Sequence, residues 1–289
     1  MTDNDEFLPY LLRRLDLAGK ANASKLELLS HSHFFSALKL TAGDTRYMVR
    51  RGGHPDGIRD LRREFNVLTL LDGSGLAPSP VMFDQDRNFI VYEYLPGVIW
   101  SRRMLTEAGA LEALTDSLAR LHSNNPPGSV CDPIKTVELY LLNADTALRS
   151  RLMEIANGAM GRLHGTRSVL CHYDMWCGNI IQDRNTRFID WEFANGGAPL
   201  IDLATLVCYH SLDEDETEAL WCSYAGKTQE QLHREDLATW CIIVDCLTVA
   251  WCGFSMALGD SPGATEPFYG PAAKRLGLNI NIQDEKPSR

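Results

Sequence analysis

The sequence lacks the cysteine spacing of metal knuckles and of disulfide-rich scaffolds. Its eight cysteines include no Cys-x-x-Cys pair, and several lie inside apolar stretches with helical periodicity. Zinc knuckles need closely paired thiolates, and small secreted domains need a framework of bridged cysteines. The pattern therefore argues against both classes and favours a reducing compartment.

The chain also has no surplus of positive charge. Lysine and arginine number 28 against 38 aspartates and glutamates, which gives a formal net charge of −10. A general nucleic-acid binder needs a basic surface to displace the counterions of the phosphate backbone. Nucleic acid is therefore not expected as a partner, whereas the acidic balance suits a small cationic substrate.

Neither a leader nor a membrane span is expected. The first ten residues carry Asp3, Asp5 and Glu6 where a signal peptide carries basic residues. Residues 237–258 contain a single charge, Asp245, and are long enough to cross a bilayer. However, large apolar side chains recur there at helical spacing, and no basic residues flank the stretch closely. We predict a buried helix in a cytoplasmic protein that has no membrane partner.

Length and periodicity predict two lobes. At about 150 residues per domain, 289 residues make about two packing units. Residues 1–97 show short strand-like runs and one amphipathic helix over Ile58–Leu71. Residues 98–289 are mainly helical and include a helical pattern over Val137–Leu163. The sequence thus predicts an α+β chain with a small β-rich lobe followed by a larger helical lobe.

A predicted hairpin places two metal-binding side chains together. A four-residue loop over 183–186 would pair Gln182 with Arg187, and Asn179 would then lie directly opposite Asp190. Cross-strand neighbours have Cβ atoms about 5 Å apart, so an amide oxygen and a carboxylate can hold one hard cation together. The pattern therefore indicates a magnesium site.

The loop before this hairpin supplies a candidate base. It reads Cys-His-Tyr-Asp-Met-Trp-Cys-Gly-Asn from Cys171 to Asn179. Asp174 lies close enough along the chain to face a ligand of the cation, where a kinase needs a carboxylate to orient the attacking hydroxyl and accept its proton. Asp and Asn are common in all turns, but the matching hairpin and the Ile-Asp-Trp-Glu string from Ile189 favour a kinase.

This combination resembles the aminoglycoside phosphotransferase and choline kinase superfamily, whose fold is similar to that of protein kinases. The resemblance covers roughly residues 24–258 and implies a two-lobed kinase-like fold and a small-molecule kinase that uses ATP and Mg²⁺. His172 and Asp174 match the catalytic loop, in which the histidine supports the loop through hydrogen bonds and Asp174 is the base. Asn179 and Asp190 match the residues that bind Mg²⁺.

The same resemblance implies the nucleotide-binding residues of the first lobe, 1–97. Arg50 takes the place of the strand cation that holds ATP phosphates, and Glu64 takes the place of its helical acid partner; the alternative is a solvated surface pair. Main-chain groups near Glu93 and Leu95 would bind adenine. The phosphate-covering loop, residues 30–36, contains no glycine, which leaves a nucleotide-binding pseudokinase or interaction module open.

The acceptor is predicted from aromatic and acidic residues of the second lobe, 98–289. The Ile-Asp-Trp-Glu string that ends at Glu192 resembles choline and ethanolamine kinases, and aromatic boxes bind quaternary ammonium groups through cation–π attraction. Trp240 and Trp251 are candidates for such a box, with Asp245 as the counter-charge. Aromatic residues at helical spacing are more often core, and Asp245 could equally bond to backbone or to an arginine. Further aromatic residues of this lobe lie at positions 176, 191, 209, 221, 224 and 254.

We therefore predict phosphate transfer from ATP to the hydroxyl of a small cationic molecule, most simply choline or a related amino alcohol. The acidic run 213–218 keeps an aminoglycoside kinase open, because polycationic sugars bind acidic loops in such enzymes. Acids also favour the first turn of a helix, where the dipole is positive. A thiamine kinase, which shares the Trp-Glu signature and a cationic aromatic substrate, is the other alternative.

Overall fold

The computed structural model describes residues 3–31, 35–52, 60–128, 130–259 and 262–278. The chain divides into two compact units, Met1–Pro96 and Gly97–Arg289. Residues 32–34 of the predicted phosphate-covering loop lie outside the described residues. All eight cysteines are free thiols.

The first unit contains a five-stranded antiparallel sheet. Its strands are β1 (Ser24–His31), β2 (Phe35–Ala42), β3 (Thr45–Gly52), β4 (Pro80–Asp84) and β5 (Phe89–Glu93). They lie side by side in the order β1-β2-β3-β5-β4. Strand β3 is therefore central, between β2 and β5, and this position buries the side chain that it contributes to the predicted nucleotide site.

Two helices complete this unit. Helix α1 (Asp3–Arg14) packs Phe7, Leu11 and Leu12 into the apolar core formed with the sheet. Helix α2 (Leu61–Leu70) begins after Asp60, whose carboxylate accepts the backbone N–H of Arg62 at 2.8 Å. An N-terminal cap of this kind supplies a partner for an otherwise unpaired helix donor. The first residues of the predicted helix, 58 and 59, lie outside the described residues.

The second unit is mainly helical. Its helices are α3 (Ala108–His122), α4 (Pro133–Tyr140), α5 (Thr146–Met160), α6 (Leu200–His210), α7 (Glu214–Ala225), α8 (Arg234–Ala257) and α9 (Pro262–Arg275). The single helix predicted over Val137–Leu163 is wrong, because α4 and α5 are separate. Asp145 ends the connection between them, since its carboxylate accepts the N–H groups of Ala147 and Leu148 and so begins a new helix.

Helix α8 is the apolar stretch that raised the question of a membrane. Among the described residues it is the one helix long and apolar enough to cross a bilayer by length and composition, and more than half of its most apolar window is buried. It packs against α4, α5, α6 and α9 of its own unit. These contacts are those of a core helix, as predicted from its periodicity.

Five short strands frame the loop that carries the motif. Strands β6 (Val98–Ile99), β8 (Ile180–Gln182) and β9 (Thr186–Phe188) form one sheet, and β7 (Val169–Cys171) pairs with β10 (Asn195–Gly197). The motif loop connects β7 to β8, so it is anchored in two different sheets.

The predicted hairpin register is wrong by one residue. Gln182 pairs with Thr186 rather than Arg187, so the loop has three residues, 183–185, instead of four. The turn closes early because the Asp183 carboxylate accepts the backbone N–H of Asn185 at 2.8 Å, an arrangement typical of Asp in tight turns. Asn179 consequently lies opposite Ile189, and Asp190 follows one residue later.

Candidate functional site

Asp174 and Asn179 are in direct contact. The side-chain amide nitrogen of Asn179 donates to the backbone carbonyl of Asp174 at 2.9 Å and to its carboxylate Oδ2 at 2.8 Å. Asn179 is 5% exposed. Because both amide protons are used in this way, the amide oxygen of Asn179 is the atom that can serve a cation. The loop thus holds the predicted base and one predicted metal ligand in a fixed mutual geometry.

His172 connects the loop that carries Asp174 and Asn179 to the segment that precedes Asp190. It is fully buried, and its Nε2 lies 2.9 Å from the carbonyl of Ile189, to which it must donate. The N–H of Ile189 in turn donates to the carbonyl of Asn179 at 2.9 Å. Burial lowers the pKa of His172, so the imidazole is neutral near pH 7. A neutral, buried donor is suited to hold the loop and is not suited to be the base.

Asp190 and Tyr173 have left-handed backbone conformations. Their φ angles are 66° and 68°, which side-chain-bearing residues rarely adopt. Such conformations cost about 1–3 kcal/mol each and persist where the surroundings enforce them, often at functional sites. The negative charge of Asp190 acts to raise the pKa of His172, against the larger effect of burial, so the carboxylate lies within electrostatic reach of that ring.

Asp202 holds the backbone of the motif loop, a contact that sequence reasoning missed. Its fully buried carboxylate accepts the backbone N–H groups of His172 and Tyr173 at 2.8 Å each. The Nε2 of His122 lies 3.0 Å from the same carboxylate, and the Tyr224 hydroxyl bonds to the other ring nitrogen. A single acid inside the apolar helix α6 was the available signal, because burial of a carboxylate requires several donors.

The predicted pair Arg50 and Glu64 is formed in the first unit. Arg50 on β3 and Glu64 on α2 approach to 3.5 Å between Nη1 and Oε1. Both residues are buried, with 6% and 1% of their surface exposed. The Arg50 guanidinium also lies over the ring of Phe35, 4.5 Å from its centroid. The alternative of a solvated surface pair is therefore wrong.

Glu93 is the last residue of β5, and Leu95 follows two residues later. The N–H of Glu93 donates to the Ser79 carbonyl at 2.9 Å, and the N–H of Tyr94 donates to the Arg46 carbonyl at 3.3 Å. No backbone carbonyl within the described parts of the chain accepts from the N–H of Leu95. The N–H of Leu95 is therefore a backbone donor of the kind that can form a hydrogen bond to a purine base.

The predicted acceptor residues are distributed over different surroundings. Trp240 is buried in α8, and Glu192 is half-buried in the turn after Trp191. Asp245 is held by Arg275 of α9, with nitrogen–oxygen distances of 2.7 and 2.9 Å. Burial raises the pKa of Asp245, and Arg275 opposes that effect. Asp245 thus already has a positively charged partner, which is the alternative that the sequence left open.

Trp251 of α8 is partly buried. Its ring nitrogen is inaccessible to solvent and has no hydrogen-bond partner among the described residues. A buried indole N–H usually has an acceptor, so this donor is suited to a hydrogen bond with a ligand.

Another aromatic group lies beside Asp174. Trp176, Tyr209 and Phe268 are each half-buried. Phe268 meets Tyr209 and Trp176 edge-on, with ring centroids 5.2 and 5.8 Å apart. Burial, followed by the negative charge of Asp174, raises the pKa of Tyr209, so the phenol is neutral. We call these three residues the aromatic cluster.

The aromatic cluster depends on glycine and on α9. A Cβ on Gly178 would come within 2.3 Å of the Trp176 ring, so only glycine permits this ring position. Sequence reasoning noted the aromatic character of Trp176 and Tyr209 but missed Phe268, because α9 contains Pro267 and Pro271 and its sequence does not have the pattern of a helix.

Comparisons with known proteins support one family. A model of the Phosphotransferase enzyme family matches residues 25–233. Human ethanolamine kinase 2 is 24% identical over 199 residues, which is 59% of this chain and 50% of that protein. The chain therefore spans about half the length of this curated relative.

Solved structures share the fold. Choline kinase LicA from Streptococcus pneumoniae aligns over 96% of this chain and 99% of its own, with a TM-score of 0.76 and 19% identity; LicA has also been solved in complex with AMP. An aminoglycoside-3′-phosphotransferase of type VIII aligns over 78% of this chain and 93% of its own, with a TM-score of 0.59 and 16% identity. The predicted α+β, protein-kinase-like fold is confirmed.

Proposed function

Because the chain belongs to the Phosphotransferase enzyme family, we propose that it transfers the γ-phosphate of ATP to the hydroxyl of a small cationic molecule, most simply choline or a related amino alcohol. One observation carries the proposal. The predicted base, Asp174, is held by Asn179 next to an aromatic cluster of half-buried residues. This arrangement combines a proton acceptor with a surface that attracts a cation.

Asn179 and Asp190 would hold Mg²⁺. The test of fit is the chemistry of the donors: an amide oxygen and a carboxylate are hard oxygen ligands of the kind that Mg²⁺ prefers. The nitrogen of the Asn179 amide is committed to Asp174, which directs its oxygen elsewhere. Bound there, Mg²⁺ would neutralise charge on the phosphates of the nucleotide.

The residues of the first unit would bind the nucleotide. Arg50 offers a planar group of donors that suits phosphate oxygens, and the buried Glu64 fixes its position on β3. The backbone N–H of Leu95, which has no backbone acceptor among the described residues, and the carbonyl of Glu93 would pair with adenine. Of these roles, that of the Arg50 and Glu64 pair has the stronger support. Burying two charges costs desolvation free energy, so the pair fixes the guanidinium in one place only at a cost to stability.

Asp174 would act on the acceptor. Its Oδ2 receives the Asn179 amide, which orients the carboxylate that would accept the hydrogen bond of a substrate hydroxyl. A carboxylate in this position aligns the hydroxyl for attack on phosphorus and takes up its proton as the new bond forms. His172 and Asp202 would keep the backbone of this loop in place.

The aromatic cluster would bind the cationic part of the acceptor. Ring faces attract quaternary ammonium groups by about 0.5–2 kcal/mol per contact. Asp174 adds negative charge next to Tyr209. The names of the relatives, choline kinase and ethanolamine kinase, agree with such an acceptor.

The structure weakens the argument for an aminoglycoside acceptor. Asp213 and Glu216 form a reciprocal capping box at the start of α7, which accounts for acids at this position. Glu216 also contacts Arg102, and Glu218 lies 3.1 Å from Arg234. The acidic run therefore has structural partners of its own.

The test is ATP consumption with Mg²⁺ against choline, ethanolamine, thiamine, homoserine and kanamycin. We expect turnover with choline or ethanolamine. Asp174→Asn should lower kcat by about 10²–10⁴-fold and leave the affinity for ATP within about twofold. Asp215→Asn, the same change at an exposed position of α7, is the matched control and should behave as the wild type.

Three outcomes would contradict parts of the proposal. Near-normal turnover by Asp174→Asn would exclude its role as the base. Turnover with kanamycin alone would exclude the aromatic cluster as the determinant of the acceptor. ATP binding without turnover of any acceptor would favour the pseudokinase alternative.

A further inference from the structure

The short turn that carries Asn179 is held from outside by a histidine. Residues Cys177–Asn179 form a single 3-10 turn, and the backbone N–H of Cys177 donates to Nε2 of His210 at 3.0 Å. His210 is the last residue of α6. The imidazole therefore connects the end of a long, buried helix to the turn that presents Asn179.

The hydrogen bond specifies the state of the imidazole. A backbone N–H can only donate, so Nε2 of His210 must be the unprotonated nitrogen. Burial, and then the positive charge of Arg102, lower the pKa of His210 to about 4. The ring is accordingly neutral near pH 7 and keeps its acceptor.

His210 is itself held in place by a second contact. Nε of Arg102 donates to the backbone carbonyl of His210 at 3.0 Å. The same guanidinium contacts the carboxylate of Glu216, which also accepts the N–H of Asp213 at 3.0 Å. The start of α7 and the end of α6 are thereby joined around Arg102, and this limits the movement of the ring.

We propose that His210 is a positioning residue for the metal–nucleotide complex, acting through the backbone of Cys177 on the turn that carries Asn179. This inference rests on the proposed function, because it takes Asn179 as a ligand of Mg²⁺. His210 would act without contacting the metal or the nucleotide itself.

The position of Asn179 is sensitive to this contact. On its other side the residue is fixed by its amide contacts with Asp174 and by the N–H of Ile189. Loss of the bond to His210 would free the start of the turn only, and would tilt Asn179 about those remaining contacts. Ligand geometry tolerates displacements of about 0.5 Å, so a small tilt suffices to weaken a metal site.

The test uses three substitutions at one position. H210Q places an amide oxygen near the position of Nε2 and preserves the acceptor. H210N ends short of that position, and H210F keeps a ring without an acceptor. H233F removes another partly buried histidine, at the start of α8, and is the matched control.

The primary readout is ADP binding by calorimetry, measured with Mg²⁺ and again with EDTA. We expect the factor by which Mg²⁺ increases ADP affinity to be about tenfold smaller in H210F and H210N than in the wild type. Their ADP affinity in EDTA should be unchanged. H210Q and H233F should stay within about threefold of the wild type. The KM for magnesium-ATP should rise in H210F and H210N, and thermal midpoints identify any variant that is unfolded.

The possible results separate a failure of the role of His210 from a failure of the proposed function. An unchanged magnesium effect in H210N and H210F overturns the role of His210, and so does a loss in H210Q as large as that in H210N. Equal losses with Mg²⁺ and with EDTA also overturn it, because they indicate general damage. If the wild type shows no magnesium effect on ADP binding, the proposed function fails and the inference fails with it.

Discussion

The substitution Asp202→Asn should destabilise the second unit strongly, although it changes a single atom. The carboxylate accepts three hydrogen bonds at 2.8–3.0 Å, from two backbone N–H groups and from His122. An amide cannot reproduce this set, because its nitrogen must face at least one of the donors. One charge-assisted bond is lost, at about 1.5–3 kcal/mol, and a buried donor is left unsatisfied, at about 1–3 kcal/mol. We expect a loss of about 3–5 kcal/mol in the free energy of unfolding.

The assay is urea unfolding followed by far-ultraviolet circular dichroism, with the free energies compared at equal m-values. Asp213→Asn is the matched control, because Asp213 caps α7 from an exposed position and Asn caps helices as well as Asp does. The control should change stability by less than about 0.5 kcal/mol. A loss below about 1 kcal/mol for Asp202→Asn would refute the view that this carboxylate anchors the loop that carries Asp174 and Asn179.

Three further substitutions test other parts of the structure. Asp190→Ala should abolish the effect of Mg²⁺ on ADP affinity measured by calorimetry, and an unchanged effect would remove Asp190 from the metal site. Arg275→Met should lower the free energy of urea unfolding by about 2 kcal/mol, because it leaves the buried Asp245 without its partner; a change near zero would contradict this. The hydrogen bond that His164 donates to Asp236 raises the pKa of His164 above its ordinary value, so its contribution to stability is fully present below that ordinary pKa and is lost as the pH rises through the raised pKa. Asp236→Asn should return the pKa of His164, measured by NMR titration, to its ordinary value, and no change on substitution would show that another group causes the shift.

Short segments that contain several charged or motif residues close together could be predicted from the sequence. The strand of Arg50 and the amphipathic helix of Glu64 are visible as local patterns, and the resemblance implies the pairing of the two residues that the structure contains. The two-lobed, kinase-like fold followed from the motif around Asp174 and the change of periodicity near Gly97. The functional roles of these residues stay predictions.

Features that depend on contacts between distant segments could not be predicted. The hairpin register depends on whether Asp183 closes a loop of three or of four residues, and composition allows both. Residues that act on the loop from elsewhere, such as Asp202 and His210, carry no local signal for the partner that they reach across 30 or more positions. Phe268 was missed because propensity argues against a helix that contains two prolines, and packing overrides it.

The position of α9 has a consequence for how the acceptor preference can change over evolution. This helix begins after residue 233, where the match to the family ends, and it carries both Phe268 of the aromatic cluster and the arginine that neutralises Asp245. Under the proposed roles, the residues that move the phosphate lie in the shared part of the chain, and one wall of the acceptor site lies beyond it. Substitutions in this single helix would then exchange one amine for another while the proposed phosphate-transfer residues are inherited intact.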